Sequence, residues 1–358
     1  REERTMKITA GLGSIDEYER FVQAGADEFF CGYVPFFWTE KYGTVMPLNR
    51  REVLCYNVQL GAYSELEILS HMVKKYKKPV HLTFNSLYYI PEQYPEIGKI
   101  VRECMALGFE SYIIADPALI LYLRQKGINC EIHLSGETGE VNCGMVELFQ
   151  RFDLKRIIFH RKNTFEDMRA VITGEKLAGR DRTEFEAFIL NEMCQFTGAF
   201  CNSLHCDEMG YLCRVPYWPG AVKDREKAER CGGKTGYAEM TGEKLPERAE
   251  KDDGLTGESL GVPYEREISD DTEVPCDEDG YLCGASGCGL CALYQLQSAG
   301  ITHLKLVGRG NYADYMEKDI RNLRQALTIL ESSHSEKEFQ KKMKHAIFPA
   351  GCSGMCYY

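Results

Sequence analysis

The chain has 358 residues, enough for one large domain or two smaller ones, and at 44% hydrophobic and 27% charged it has the make-up of a soluble globular protein. A formal net charge of −11 opposes broad electrostatic binding to nucleic acid, so RNA is a disfavoured partner. No apolar run approaches the roughly 18 residues of a membrane-spanning helix, and the charged start, Arg1 to Lys7, does not read as a signal peptide, which points to the cytoplasm.

In chain order, strand-like runs fall near Lys7–Leu12, Glu28–Gly32, Val80–Asn85, Ser111–Asp116, Glu131–Gly136, Arg156–His160, Glu184–Leu190 and His303–Gly308. Amphipathic helical stretches separate most of them. Ser14 with Glu17 reads as a capping box opening the first helix, and Thr164 with Asp167 as a similar start. Gly25, Gly108, Gly127 and Gly300 each stand where a helix gives way to a strand, a position that favours the left-handed backbone. Eight such units predict an α/β fold, a (β/α)8 TIM-like barrel over 6–330, with a doubly wound open sheet as the alternative. Residues 331–358 read as a C-terminal tail.

The seventh and eighth strands are far apart. Between them, 202–287 reads as a cysteine-rich insertion whose middle, 221–275, is acidic and irregular, with fifteen acidic and nine basic residues. Two copies of one motif bracket that middle: Cys206-Asp-Glu-Met-Gly-Tyr-Leu-Cys213 and Cys276-Asp-Glu-Asp-Gly-Tyr-Leu-Cys283. Seven of eight positions match, which suggests two metal-ligating arms or two turns, with ligation favoured. Nine of the sixteen cysteines lie between 194 and 291. In a reducing compartment, clustered thiols favour metal binding over structural disulfides. Cys31, Cys55, Cys104, Cys130 and Cys143 lie outside the cluster and read as small buried hydrophobes.

Barrels of this type keep their chemistry at the C-terminal ends of the strands. Those ends carry Cys31, Asn85, Asp116, Ser135, Glu137, His160, Arg161, Asn191, Glu192, Cys194 and Arg309. His133, Arg161, Lys305 and Arg309 are the candidate catalytic or substrate-binding groups. His133 is expected to point into the mouth, the arginines to grip a carboxylate or to pair with Asp116 and Glu192, and Lys305 to need a partner inside the barrel. Six-residue gaps are long for structural zinc, and His205 is the only histidine between Cys194 and Cys291. An all-sulfur set suits an iron–sulfur cluster better.

The run Glu186-Ala-Phe-Ile-Leu-Asn-Glu-Met-Cys194, followed by Cys201, resembles the signature of peptidase family U32, the collagenase-like peptidases. Further stretches are similar: Ala10–Gly32, Asp116-Pro117, Ile132-His133-x-Ser135, and Ser298 to Arg309. The resemblance implies a barrel-type domain with one 4Fe–4S cluster on Cys194, Cys201, Cys213 and Cys288. It implies kinship with proteins of oxygen-independent ubiquinone and RNA hydroxylation, some of which work as homologous pairs. Leu190-Asn191 replaces the family's His-Gly, and Cys206, Cys276, Cys283, Cys291, Cys352 and Cys356 are additional to its pattern. These six are expected to supply a second metal site, with the tail folded back over the barrel mouth. The expected function is oxygen-independent hydroxylation, or a related modification, of a small molecule or peptide, with RNA as a weaker candidate. The alternatives are a peptidase, although neither His-Glu-x-x-His nor Gly-x-Ser-x-Gly occurs, and a non-catalytic iron–sulfur subunit of a homologous pair.

Overall fold

A computed structural model describes residues 6–43, 46–50, 58–139, 141–194 and 276–358. Eight parallel strands close into a barrel in sequence order: β1 Lys7–Leu12, β2 Glu28–Gly32, β3 Val80–Phe84, β4 Ser111–Ile114, β5 Glu131–Leu134, β6 Leu154–Ile158, β7 Glu184–Leu190 and β8 His303–Leu306. The (β/α)8 reading holds, and the open sheet is excluded by the β8–β1 pairing, Lys7 against His303 through Ala10 against Leu306. β6 begins two residues earlier than expected. Most strand residues are buried, as for parallel strands covered by helices outside and side chains inside. The acidic middle, 221–275, and its copy of the cysteine motif at 206–213 lie outside the described residues.

Local chemistry explains the helix ends. Gly25 takes φ +110° after helix Asp16–Ala24, and its N–H bonds Phe21 and Val22, turning the chain straight into β2. Thr164 and Asp167 form the expected capping box. The first helix differs: Ile15 is its cap, and Glu17 instead accepts from the N–H groups of Gly13 at 2.7 Å and Ser14 at 3.4 Å. Between sheet and helices lies the main apolar core, including Tyr18, Phe29, Trp38 and Tyr112. Helix Ala313–Glu331 packs on β1 and on helix Asp16–Ala24, burying Ile320, Leu323 and Leu327. Leu323→Ala there would cost about 2–5 kcal/mol.

Residues 331–358 are more than a tail. Glu336–Ile347 is a helix capped by Ser335, and it buries Phe339 and Met343. No helix among the described residues is long and apolar enough to cross a membrane.

Candidate functional site at the barrel mouth

Side chains inside the barrel stack in levels, and alternate residues of β8 mark them: His303, Lys305, Val307, Arg309. The lowest levels are charged. Arg156, 2% exposed, bonds Glu186 at 2.9 Å, Glu28 at 2.8 Å and Glu184 at 2.8 Å. Lys305 bonds Glu186 at 2.8 Å, and its ammonium lies 3.7 Å from the Phe30 ring centroid. His81 and His303 reach Glu28 at 3.1 and 3.3 Å, and Lys7 reaches it at 3.1 Å. Three carboxylates thus meet two buried cations, Arg156 and Lys305, and two more exposed ones, Lys7 and Lys155. Burying such groups costs several kcal/mol per ion unless every charge is matched. Burial alone would raise the Glu186 carboxyl, but Lys305 and Arg156 hold it at about 2. Burial lowers Lys305, and Glu186 opposes that.

His133 belongs to this lower part and not to the mouth. It pairs with Arg156 in the β5–β6 register, and its ring centroid lies 4.5 Å from that of His81. With Glu28, His81, Glu131 and Arg156 it lines a cavity of about 190 Å³ among strand N-terminal ends. Burial and Arg156 push its pKa well below the usual value, and its Nδ1 has no hydrogen-bond partner among the described residues. The expectation failed because His133 lies two residues short of Ser135, and two strand residues span about 6.6 Å. Above this level Phe30, Ile113, Ile158, Phe188 and Val307 form an apolar layer closed off by Tyr357. His133 and Lys305 therefore lie below the layer, and Arg161 and Arg309 above it.

At the mouth, the Arg161 guanidinium lies 3.8 Å from the Phe188 ring centroid and 5.7 Å from that of Tyr357. Burial works against its charge, while Tyr357, Glu137 and Cys194 favour it. Arg309 is buried, with Nη1 3.4 Å from the Thr83 hydroxyl. A Cβ on Gly32 would stand 2.8 Å from that nitrogen, so the glycine at the end of β2 makes room for it. Asp116 caps helix Pro117–Gln125, accepting from Ala118 N–H at 2.8 Å and from Tyr94 OH at 2.9 Å. His160 is buried, which lowers it to about 4.

Three segments meet beside these arginines. The end of β7 pairs antiparallel with 286–289: Asn191 N–H donates to Gly287 O at 2.8 Å, Met193 N–H to Ser286 O at 2.8 Å, and Gly289 N–H to Ile189 O at 2.7 Å. Cys288 then pairs in parallel with Cys356: its N–H donates to Met355 O at 2.7 Å, and Tyr357 N–H donates back to Cys288 O at 2.9 Å. The expected fold-back of the tail is present. Cys194 and Cys288, both half-buried, share one rim. Gly284, at φ +65°, leaves space for the Cys288 thiol, since a Cβ there would stand 2.6 Å from the Cys288 Cβ.

The sequence of this chain matches that of a known family over residues 13–355. The chain belongs to peptidase family U32. Among solved structures, the U32 peptidase Mk0906 is 13% identical over 53% of this chain and 70% of its own, with a TM-score of 0.39. KGPDC from Streptococcus mutans is 10% identical over 52% of this chain and 78% of its own, with a TM-score of 0.31. A search of curated proteins finds no match.

The departure of this U32 chain at Leu190-Asn191 now has a physical reading. Asn191 takes φ +66° and Glu192 φ +51°, a left-handed elbow that suits glycine and, among other residues, asparagine best. Its side chain adds a tie, donating to Asp319 at 2.7 Å. Asp319 also accepts from Tyr281 OH at 2.7 Å, and burial pushes it up to about 6.

The cysteines separate into groups. Cys55, Cys201, Cys206 and Cys213 lie outside the described residues. Cys31, Cys104 and Cys130 are buried as expected, whereas Cys143 is exposed. The second motif copy forms a turn: Asp277 accepts from Asp279 N–H at 3.0 Å and Tyr281 N–H at 2.8 Å, and binds Lys318 at 2.8 Å. Gly280 supplies the positive φ of that turn. Asp, Gly and Tyr of this copy therefore build and dock the turn. Cys276 is exposed, while Cys283 is 3% exposed and set in the core. Among the described residues, no three His, Cys, Asp or Glu side chains converge to hold a metal ion as they stand.

Sequence reasoning missed Arg156, Glu28 and the Glu184–Glu186 pair. Their signal was present: charged residues at every second position of a strand buried on both faces must meet partners inside the barrel.

Proposed function

We propose that this U32 protein carries a 4Fe–4S cluster over the barrel mouth and serves oxygen-independent hydroxylation, or a related modification, of a small anionic molecule or peptide. The observation behind this reading is the backbone pairing of the end of β7 with 286–289, which brings Cys194 and Cys288 to one rim. The donor chemistry fits: the rim offers thiols, and His160, the mouth histidine, is buried. Cys194, Cys201 and Cys213 are the proposed ligands, and Cys288 fills the fourth place of the family pattern. When bound, the cluster supplies electron transfer or Lewis acidity at the mouth.

The chain's own residues do the rest. Arg161 and Arg309 hold positive charge where an anionic group would dock, and planar guanidinium groups suit carboxylate or phosphate. Beneath them the apolar layer keeps the mouth apart from the charged levels. Lys305, tied to Glu186, and His133, below that layer, act on the interior and not on a substrate.

The test is anaerobic purification followed by iron and sulfide analysis and visible absorbance. Cys194→Ala, Cys201→Ala and Cys213→Ala should each remove the brown chromophore. If all three variants keep full iron, the reading fails.

A further inference from the structure

We propose that the segment 349–358 is a displaceable lid: Tyr357 seals the barrel mouth, and an anionic ligand reaches Arg161 by lifting it, which rests on the reading of the mouth as an anion site. The seat for the ring is built into the rim. Tyr357 packs on the apolar layer that includes Phe30, Phe188 and Val307. Gly287 makes room for it, since a Cβ there would stand 2.5 Å from Tyr357 Cε1, and Gly289 does the same for Tyr358, where a Cβ would stand 3.2 Å from Cε2. Tyr358 OH donates to Phe188 O at 2.9 Å, and its ring centroid lies 5.3 Å from that of Phe165. A ligand that uses Arg161 from this side must take the ground that the Tyr357 ring now covers.

The ties that hold the segment down are few. Cys288 N–H donates to Met355 O at 2.7 Å, Tyr357 N–H donates to Cys288 O at 2.9 Å, and Ser353 Oγ donates to Gly284 O at 2.9 Å. Gly351, Cys352, Gly354, Met355 and Cys356 are exposed. Gly351 at φ +115° and Gly354 at φ +70° supply bends that side chains resist. Helix Glu336–Ile347, just before, is pinned instead by buried Phe339 and Met343. A segment with a short ladder and few buried apolar contacts opens at a small fraction of the global stability.

The closed state also leaves polar groups unmet. The Arg161 guanidinium lies 5.7 Å from the Tyr357 ring centroid. Burial raises the Tyr357 phenol, and Arg161 opposes that. Yet neither Tyr357 Oη nor Arg161 Nε, both buried, makes a hydrogen bond among the described residues. Unmet buried polar atoms penalise the arrangement that buries them. Lifting Tyr357 returns its hydroxyl to water, and an anion on Arg161 satisfies the guanidinium. Ligand binding and closure therefore compete for one place, which distinguishes a lid from a fixed wall.

The experiment titrates the full chain, Tyr357→Ala and Tyr357→Phe with inorganic phosphate, followed by calorimetry and by amide hydrogen exchange. Tyr357→Ala removes the seal and should bind phosphate about tenfold or more tightly than wild type, because apparent affinity scales with the open fraction. Tyr357→Phe keeps the ring and loses the unmet hydroxyl, so it should close more firmly and bind more weakly than wild type. In wild type, phosphate should speed exchange of the Tyr357 and Cys288 amides about tenfold, while helix Glu336–Ile347 keeps its rates. Equal affinities in wild type and Tyr357→Ala overturn the lid and leave the anion site standing. Slower exchange of those two amides with phosphate bound does the same, as does a Tyr357→Phe chain that binds as tightly as Tyr357→Ala. No phosphate binding even in Tyr357→Ala overturns the anion reading, and the lid with it.

Discussion

The two ends of this barrel manage buried charge in opposite ways. At the bottom, Arg156, Lys305 and Lys7 meet Glu28, Glu184 and Glu186, and every one of these charges has an opposite within 3.1 Å. At the mouth, Arg161 lies against aromatic faces and is reached by Cys194 and Glu137 only electrostatically. A closed ion network serves structure, since each of its charges is matched by an opposite one. The anion-binding role proposed for Arg161 rests instead on its place over aromatic rings at the mouth. The level of a residue in the barrel therefore says more about its job than its chemical type.

The strongest way to break this contrast is at the bottom. Arg156→Met should cost about 3–5 kcal/mol in urea unfolding, because three carboxylates lose their shared cation in a buried site. A loss below about 1 kcal/mol would show the network to be hydrated and structurally idle.

Acid should weaken the fold through its buried neutral histidines. His160 titrates near 4 in the folded chain against 6.5 unfolded, and His81 and His133 are lowered too. Their depressed values mean that the unfolded chain takes up protons first as pH falls. Stability is thus whole above about pH 6.5 and declines toward pH 4, by roughly 3 kcal/mol from His160 alone. His160→Asn should flatten part of that decline in unfolding curves recorded between pH 7 and 4.5. An unchanged slope would falsify the assignment.

The elbow after β7 should be less costly. Asn191→Ala puts an unfavourable residue at φ +66° and removes a bond to Asp319, for about 2 kcal/mol in all. The smallest stability effect is expected at the mouth. Arg161→Ala should shift unfolding by less than about 1 kcal/mol, yet weaken phosphate or dicarboxylate binding measured calorimetrically. A shift as large as that of Arg156→Met would erase the distinction between the two ends.

Much of this was legible in the residues. Glycine caps and doubly buried strands identify the barrel because they follow from local backbone preference and from covering on both faces. The fold-back of the tail was readable from Tyr357 and Tyr358, which are too apolar for a frayed end. Levels inside the barrel were not readable. They depend on strand stagger, which no linear spacing encodes, so His133 was expected at the mouth and Arg156 passed as an ordinary strand residue. The repeated Cys-Asp-Glu motif favoured ligation because its cysteines stand out. In the copy at 276–283, the matching Asp, Gly and Tyr turned out to serve a turn.

The charged interior also bears on how the fold responds to heat. Unfolding an ordinary barrel exposes apolar side chains, which raises heat capacity by about 0.45 cal/K/mol per Å², while polar exposure lowers it by about 0.26. Replacing two apolar levels with Glu28, Arg156, Glu184, Glu186 and Lys305 should therefore make the stability curve shallower with temperature. Ion hydration also weakens as temperature rises, so the penalty for keeping these groups dry shrinks on warming. Calorimetry should then find a heat-capacity increment per residue below the usual 12–15 cal/mol/K, and a fold that loses stability slowly on the warm side of its maximum.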